Sequence, residues 1–349
     1  MNVLIVKLSA IGDVVHTLPS LRALRKLYPD AHVTWVVEEA AADLLAGHPD
    51  LNRVIVSSRK RWVDSIMHLR GTGATAKEVT SFLKTLRDRR YDLVIDFHGL
   101  FKSAVIVLAS GGRRKLGYKS MQELSGLFYN EKIPEDMAKH AVDRYLDFAR
   151  HLGAPAAEAE FIIPIDDEHR KRVHTLLVSK GIDPAEAFVA INPVAYWDTK
   201  LWENEKFARL SDRIAKELGM KLIFTGGGGD ETIGRIRAMM TAPSVSLEGE
   251  TSLRELAYLY KISRLVVTTD SGPMHIAAAV GTPTVALFGP TDPRRTGPYG
   301  EGHTVIRKNL PCSPCFRKEC DTMKCMRDIS VEEVFEAVGK SLSGIRKAQ

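Results

Sequence analysis

Residues 264–292 read RLVVTTDSGPMHIAAAVGTPTVALFGPTD, and this stretch decides the fold class. It opens on a β-branched apolar run that ends at Thr269, passes through a DSG loop, and becomes alanine-rich at 276–279. A second apolar run follows at Thr284–Phe288. Short runs of this kind are typical of strands buried on both faces of a parallel sheet. Strand, loop, helix and strand in this order predict a right-handed βαβ unit.

The same alternation continues on both sides of this unit. We predict strands at 3–6, 32–37, 91–96, 188–192 and 221–225, and helices at 14–27 and 331–345. The stretch APAAEAE at 154–160 is small, polar and typical of a linker, and the pattern restarts after it. Because 349 residues also suit two domains, we predict domains at 1–160 and 161–349. The fold class is α/β, with two facing Rossmann-like domains, parallel sheets and an interdomain cleft where the strand ends meet.

The composition is that of an ordinary soluble globular protein, with 44% apolar residues, 26% charged residues and a net charge of +6. No helix-turn-helix, RNP motif or zinc finger is present, so we do not expect a nucleic-acid partner. The sequence has no secretory signal and no apolar run of about 20 residues, which predicts a cytoplasmic location.

Two basic clusters could face a phosphorylated substrate or an acidic membrane surface, or could serve solubility: Arg59, Lys60, Arg61 and Arg70, and Arg113, Arg114, Lys115 and Lys119.

The four cysteines all lie in one short segment, at Cys312, Cys315, Cys320 and Cys325. A C-x2-C opening followed by two more thiols admits a structural zinc ion, although the later spacings match no standard zinc module. The alternative is a local loop of buried, reduced thiols.

A four-glycine run at 226–229 follows a predicted strand and precedes a predicted helix. Without side chains, Gly226 and Gly227 let backbone N–H groups approach a phosphate, or simply make a flexible turn. Asp230 or Glu231 could accept hydrogen bonds from ribose hydroxyls, or cap the helix. Neither GxGxxG nor GxxxxGK[ST] occurs, so a dinucleotide oxidoreductase or a P-loop kinase is not supported.

The DSGPMH loop is a second candidate for phosphate binding. Ser271 could cap the following helix, Gly272 leaves room for a ligand, and the helix N-terminus attracts a diphosphate without a metal ion. His275 could add a donor, or it could be a satisfied core histidine. Lys200 follows another predicted strand, where its ammonium could stabilise a leaving diphosphate or simply face solvent.

Asp13 lies in the first predicted strand-to-helix loop. A carboxylate at that edge is suited to accept a proton from an attacking hydroxyl, which makes Asp13 the candidate base. An aspartate that caps the helix would have the same position in the sequence.

Together these segments resemble a known family. LIVKLSAIGDVVHTLPSL, WVVEE, YDLVIDFHGLFKSA, LFYN and TTDSGPMHIAAAVGTPTVALFGPTDP are similar to the ADP-heptose:lipopolysaccharide heptosyltransferases of glycosyltransferase family 9. The resemblance runs from residue 1 to about residue 300. With Arg61-Trp62, the N-terminal block is most similar to the heptosyltransferase I branch, which adds the first heptose to the Kdo of lipid A.

The resemblance implies a GT-B fold, an ADP-heptose donor, inversion at the anomeric carbon and no catalytic metal. It implies that Asp13 is the general base. It implies a Kdo-lipid A acceptor met at the cytoplasmic face of the inner membrane, and a monomer. Further roles are implied for the diphosphate (Lys200, Ser271, Gly272, His275, with Asp270 supporting the loop), the ribose (Asp230), the adenine (Thr251) and the acceptor (Lys60, Arg61, Trp62, with Lys119 nearby).

Three departures from the family pattern concern the acceptor. Ala195-Tyr196 stands where heptosyltransferase I has two threonines, the loop after Gly117 shows no evident acceptor arginine, and the cysteine segment is more similar to heptosyltransferase II. The alternatives are therefore heptosyltransferase II or another family 9 transferase. More distant ones are a nucleotide-sugar epimerase, an NAD-dependent oxidoreductase and a non-catalytic lipopolysaccharide-binding protein.

Overall fold

The structure, a computed structural model, describes residues 1–68, 72–120, 122–156, 158–229 and 231–347. The chain divides into two compact units, Met1–Pro164 and a second that begins at Ile165. In the described residues no helix combines the length and the apolar character needed to cross a membrane.

Over its described residues, the first unit is one parallel sheet of six strands with helices. Its strands are β1 (Asn2–Val6), β2 (His32–Glu38), β3 (Arg53–Ser57), β4 (Leu93–Asp96), β5 (Arg114–Tyr118) and β6 (Glu131–Ile133), in the order β3-β2-β1-β4-β5-β6. Its helices are α1 (Ile11–Leu27), α2 (Glu39–Ala42), α3 (Arg59–Met67), α4 (Thr72–Arg87), α5 (Phe101–Ala109) and α6 (Ala141–His151), with 3-10 turns at Asp43–Leu45 and Gln122–Phe128.

The second unit repeats this architecture. Its strands are β7 (Phe188–Asn192), β8 (Lys221–Phe224), β9 (Val245–Ser246), β10 (Leu265–Thr269), β11 (Thr284–Phe288) and β12 (Thr304–Arg307), in the order β12-β11-β10-β7-β8-β9. Its helices are α7 (Asp167–Ser179), α8 (Asn204–Leu218), α9 (Thr232–Met239), α10 (Leu253–Ile262), α11 (Gly272–Ala279), α12 (Pro293–Thr296), α13 (Lys324–Arg327) and α14 (Val331–Lys347), with a 3-10 turn at Asp198–Lys200. The predicted α/β class with parallel sheets is confirmed.

The central strands are almost wholly removed from solvent, as their apolar composition requires. Strand β1 runs parallel to β2 and β4, and β10 runs parallel to β7 and β11. Because neighbouring strands point the same way, their carboxyl ends lie along one edge of each sheet. This edge carries the loops that hold the candidate site residues.

The structure extends the predicted elements and adds short ones. Helix α1 begins at Ile11 rather than at residue 14, because the Asp13 carboxylate accepts a hydrogen bond from the Ala10 backbone N–H and stabilises an earlier first turn. The strand predicted from residue 91 begins at Leu93. Strands β3, β5, β6, β9 and β12 were not predicted, because polar or charged residues flank or interrupt their apolar runs.

Candidate functional site

In the first unit, the loops after β1 and β4 lie side by side. Val6 pairs with Asp96 in the last register position of these two strands, so Lys7 and Phe97 follow at the same edge. The Lys7 ammonium, which is 3% exposed, donates to the Phe97 carbonyl over 3.1 Å and to the Tyr145 hydroxyl over 2.7 Å. The two loops and helix α6 are thereby tied to one buried cation.

Asp13 lies in the first turn of α1, beside this cation. Its Oδ1 accepts a hydrogen bond from the Tyr145 hydroxyl at 3.0 Å and lies 3.7 Å from Lys7 Nζ. Its Oδ2 accepts from the Ala10 N–H at 3.2 Å. The side chain keeps 40% of its surface exposed, so a substrate hydroxyl can still reach it.

These contacts keep the Asp13 carboxyl ionised. Desolvation by the surrounding protein would raise the pKa of Asp13. The Lys7 ammonium, the Ala10 N–H and the Tyr145 hydroxyl together outweigh it and hold the pKa below its ordinary value. Burial lowers the pKa of Lys7 itself, against the attraction of Asp13 and Asp96. The arrangement is more than helix capping, because it pairs an exposed carboxylate with a buried cation and a phenol.

A second buried carboxylate fixes the β4 loop. Asp96 accepts from the Tyr129 hydroxyl at 2.6 Å and from the His98 N–H at 2.8 Å, and burial raises its pKa. Burial, followed by the charges of Lys7 and Lys102, lowers the pKa of His98 to about 2. His98 is therefore neutral, and both of its ring nitrogens are buried without a hydrogen-bond partner among the described residues.

The predicted acceptor residues lie on α3, apart from Lys119, which is exposed just after β5. Lys60 is 71% exposed, with its ammonium 3.6 Å from a carboxylate oxygen of Glu38. Arg61 and the Trp62 indole both donate to Glu78 on α4, over 3.0 and 2.8 Å. Acidic side chains thus hold this basic segment at the protein surface.

In the second unit, Lys200 is joined to the DSG loop. Its ammonium lies 2.7 Å from Oδ2 of Asp270, and the same oxygen accepts from the Thr291 hydroxyl at 2.6 Å. Asp270 is buried, and the Lys200 side chain is 16% exposed. The Lys200 ammonium also lies 4.6 Å from the centre of the Trp197 ring. Lys200 is therefore a positioned cation and not a solvated surface lysine.

The start of α11 differs from the prediction in one respect. Ser271 occupies the N-cap position, but its side chain does not cap the helix, so that prediction was wrong. The Ser271 hydroxyl is held instead by Asn192 at 3.4 Å and Thr268 at 3.3 Å, at the ends of β7 and β10. Gly272 is the first residue of α11, and His275 is buried near its start.

The glycine run at 226–229 follows β8, at the carboxyl edge of the second unit's sheet. A Cβ on Gly226 would lie 2.9 Å from the Ile233 side chain, so glycine lets the loop close on α9. A Cβ on Gly227 would meet nothing within 4 Å. The Gly226 carbonyl accepts from the Gly249 N–H at 2.9 Å, which brings the half-buried Thr251 loop to the glycine run. The predicted ribose acid, Asp230, lies outside the described residues.

The cysteine segment is not a loop of buried thiols, so that prediction was wrong. Cys312, Cys315 and Cys320 are exposed, and only Cys325 is partly buried. This segment contains too few apolar side chains to cover the thiols. Among the described residues, which include all four cysteines, no group of three or more His, Cys, Asp or Glu side chains is placed to hold a metal ion.

Sequence reasoning missed Lys7, Tyr145 and Thr291, which complete the two clusters. Lys7 had a signal, since a lysine directly after a buried strand is placed at the ligand-binding edge. Thr291 had a similar signal, because it lies in the loop after the predicted strand at Thr284–Phe288, whereas Tyr145 had none, because it meets Asp13 across 132 residues.

Residues 79–326 match glycosyltransferase family 9 (heptosyltransferase). The chain is 32% identical to lipopolysaccharide heptosyltransferase 1 of Pseudomonas aeruginosa, over 92% of this chain and 87% of that protein. Among solved structures, E. coli heptosyltransferase WaaC with ADP-2-deoxy-2-fluoro heptose is 27% identical, with a TM-score of 0.78 and coverage of 97% of this chain and 99% of that one. A family 9 glycosyltransferase from Veillonella parvula is 25% identical, with a TM-score of 0.80 and coverage of 98% and 97%.

Proposed function

The chain belongs to glycosyltransferase family 9, and from this premise we propose that it moves heptose from ADP-L-glycero-D-manno-heptose to the Kdo of the lipopolysaccharide inner core. Its role is that of a heptosyltransferase I-like glycosyltransferase. The observation that carries the proposed chemistry is the Asp13 carboxylate, which is held ionised yet remains open to solvent.

The first unit supplies the base in this proposal. The acceptor hydroxyl donates its proton to Asp13 as its oxygen attacks the anomeric carbon of the donor sugar. The C–O bond to ADP breaks as the new glycosidic bond forms, so the anomeric configuration inverts. Lys7 and Tyr145 hold the carboxylate in place and keep it charged before the proton arrives.

The second unit holds the leaving group. Lys200, positioned by Asp270, neutralises the diphosphate as negative charge develops on it. The N-terminus of α11, with Ser271, Gly272 and His275, adds backbone N–H groups and a positive end of the helix dipole. Gly226 and Gly227 let the nucleotide approach the backbone, Asp230 binds the ribose, and Thr251 lies near the adenine.

The residues proposed to bind the acceptor bear on which of two acceptors the protein uses, Kdo-lipid A or the same lipid already carrying a heptose. Lys60, Arg61, Trp62 and Lys119 present positive charge and an indole at the surface of the first unit, which suits the acidic Kdo and the phosphates of lipid A. Family membership disfavours an epimerase or a binding protein without activity. The exposed cysteine segment, which is more similar to that of heptosyltransferase II, keeps an already heptosylated acceptor as the second candidate.

A comparison of acceptors tests this choice. The purified protein is given ADP-heptose with Kdo2-lipid A, with the same lipid carrying one heptose, or with no acceptor, and ADP release is followed. We expect release that depends on Kdo2-lipid A. Release only with the heptosylated lipid would assign heptosyltransferase II activity, and equal release in all three mixtures would contradict the proposed transfer.

A further inference from the structure

Helix α5 exposes an apolar stripe that the proposed chemistry does not use. Phe101, Val105 and Leu108 are 50, 45 and 53% exposed. They follow one another at i, i+4 and i+7, so they share one face of the helix. The opposite face packs on the sheet through Ile106 and Val107, which are buried in the core of the first unit. The exposed stripe therefore does not contribute to the hydrophobic core.

The 3-10 turn at Gln122–Phe128 widens this stripe. Phe101 and Phe128 pack edge to face with their ring centres 6.1 Å apart, and the Phe101 N–H donates to a carboxylate oxygen of Glu123 at 3.1 Å. The turn exposes Leu124 and Leu127, by 59 and 67%. We call the five exposed side chains the α5 patch: Phe101, Val105, Leu108, Leu124 and Leu127. Contiguous exposed apolar groups on a soluble protein mark an interaction surface.

The segment of sequence that carries α5 is basic, although Glu123 of the 3-10 turn lies against Phe101. Between Asp96 and Glu123 the sequence contains no acidic residue but five basic ones: Lys102, Arg113, Arg114, Lys115 and Lys119. Arg114 is paired with Glu131, whereas Arg113 and Lys119 are exposed. Two cations adjoin α5 directly, since Lys102 is its second residue and the Arg87 guanidinium donates to the Ala109 carbonyl at its end. Apolar side chains beside cations are the combination that binds an anionic lipid surface.

The α5 patch also begins beside the candidate base. Lys102, the second residue of α5, donates from its ammonium to the Ser9 hydroxyl over 3.2 Å. Ser9 precedes Ala10, whose N–H is bonded to Asp13. A surface that rests on a bilayer here would hold the Asp13 loop close to a lipid-anchored acceptor.

We propose that the α5 patch docks this protein on the anionic surface of a phospholipid bilayer. The proposal rests on the proposed function, since a lipid-linked acceptor has to be met at a membrane. The apolar side chains enter the headgroup region while the nearby cations remain with the lipid phosphates. The docking is peripheral, and high salt weakens it.

Co-sedimentation with vesicles tests the docking directly. The wild type is mixed with vesicles of phosphatidylethanolamine and phosphatidylglycerol, and separately with vesicles of phosphatidylcholine alone. We expect binding to the first and much weaker binding to the second. In the double variant Phe101→Ser/Leu108→Ser, partition to the anionic vesicles falls by about tenfold, because two apolar side chains leave the interface.

Two further variants complete the test, one as a matched control and one that is expected to bind vesicles more strongly. Val178→Ser changes a valine that is 63% exposed on α7 of the second unit, and it should leave partition unchanged. Leu108→Trp should raise partition, with a blue shift of tryptophan emission when vesicles are added. Equal partition of the wild type and the double variant would overturn the proposal, as would a wild type that binds neither kind of vesicle.

A soluble acceptor separates this proposal from the proposed function. With a Kdo oligosaccharide that lacks acyl chains, the double variant should keep the wild-type rate. Loss of that rate would show that the substitutions damage the catalytic unit and would overturn the docking assignment. A wild type that transfers to no acceptor, yet binds vesicles through the α5 patch, would contradict the proposed function and support the docking.

Discussion

At the scale of single residues, the proposed chemistry depends on how two charged side chains, Asp13 and Lys200, are held. Asp13 accepts from a phenol and a backbone N–H beside a buried lysine, and Lys200 is anchored on a buried aspartate. Both are charged groups whose partners restrict them to one position. Positioned charges act on a transition state without reorganisation, so the partners should matter almost as much as the charges.

Tyr145→Phe should move the acid limb of the pH profile. The Tyr145 hydroxyl donates to the Asp13 carboxylate and favours its charged form, so removing the hydroxyl raises the pKa of Asp13. The acid limb of kcat/KM should then shift to higher pH by about 0.7 unit, since one hydrogen bond is worth about 1 kcal/mol. An unchanged limb, measured over the same pH range as the wild type, would show that Tyr145 does not tune the base.

Lys200→Ala should weaken ADP binding and lower the rate together. The ammonium is expected to meet the diphosphate both in the bound donor and as it leaves, so we expect a loss of about a hundredfold in kcat/KM. ADP affinity is measured by calorimetry. Lys340→Ala, at a lysine that is 82% exposed on α14, is the matched control. A Lys200→Ala protein with wild-type ADP affinity would remove Lys200 from the site.

At the scale of elements, close packing of β5 fixes the buried Asp96 network. A Cβ on Gly117 would lie 2.3 Å from the ring of Tyr129, whose hydroxyl donates to Asp96. The ring has to approach the strand this closely, so only glycine fits. This requirement concerns the packing of the first unit and is separate from any role of Lys119, the proposed acceptor residue that follows β5.

Gly117→Ala should therefore lower the free energy of unfolding by about 1–3 kcal/mol, because the Tyr129 ring has to shift. Urea denaturation measures the loss. The control is Gly339→Ala on α14, where a Cβ would meet nothing within 4 Å and a helical alanine should not destabilise. Equal stability of the two variants would show that the contact with Tyr129 is easily relieved.

The sequence predicted the elements whose signals are local. Strands β1, β7, β10 and β11 were predicted because they are uniform apolar runs, and Asp13 and Lys200 were predicted from their places after strands. The edge strands and the side-chain role of Ser271 were not, because they depend on what the rest of the fold places beside them. Lys7 with Tyr145, and Asp270 with Thr291, are likewise pairs that only the tertiary structure brings together.

At the scale of the whole molecule, each unit has its own sheet and its own cluster of charged groups. The first holds Asp13 and the α5 patch, and the second holds Lys200 and the start of α11. The proposed boundary at residue 160 stays a prediction, as does a monomeric state. The proposed function, with a base in the first unit and a cation for the leaving group in the second, would require that both clusters act in one reaction.

The most direct test compares the wild type with Asp13→Asn in a transfer assay with ADP-heptose and Kdo2-lipid A, read by the mass of the lipid product. We predict that the wild-type lipid gains one heptose, while Asp13→Asn still binds ADP but transfers almost none, because the amide cannot take the proton. A mutant that keeps most of the wild-type transfer would contradict the role of Asp13. No mass gain from folded, ADP-binding wild-type protein would contradict the proposed acceptor.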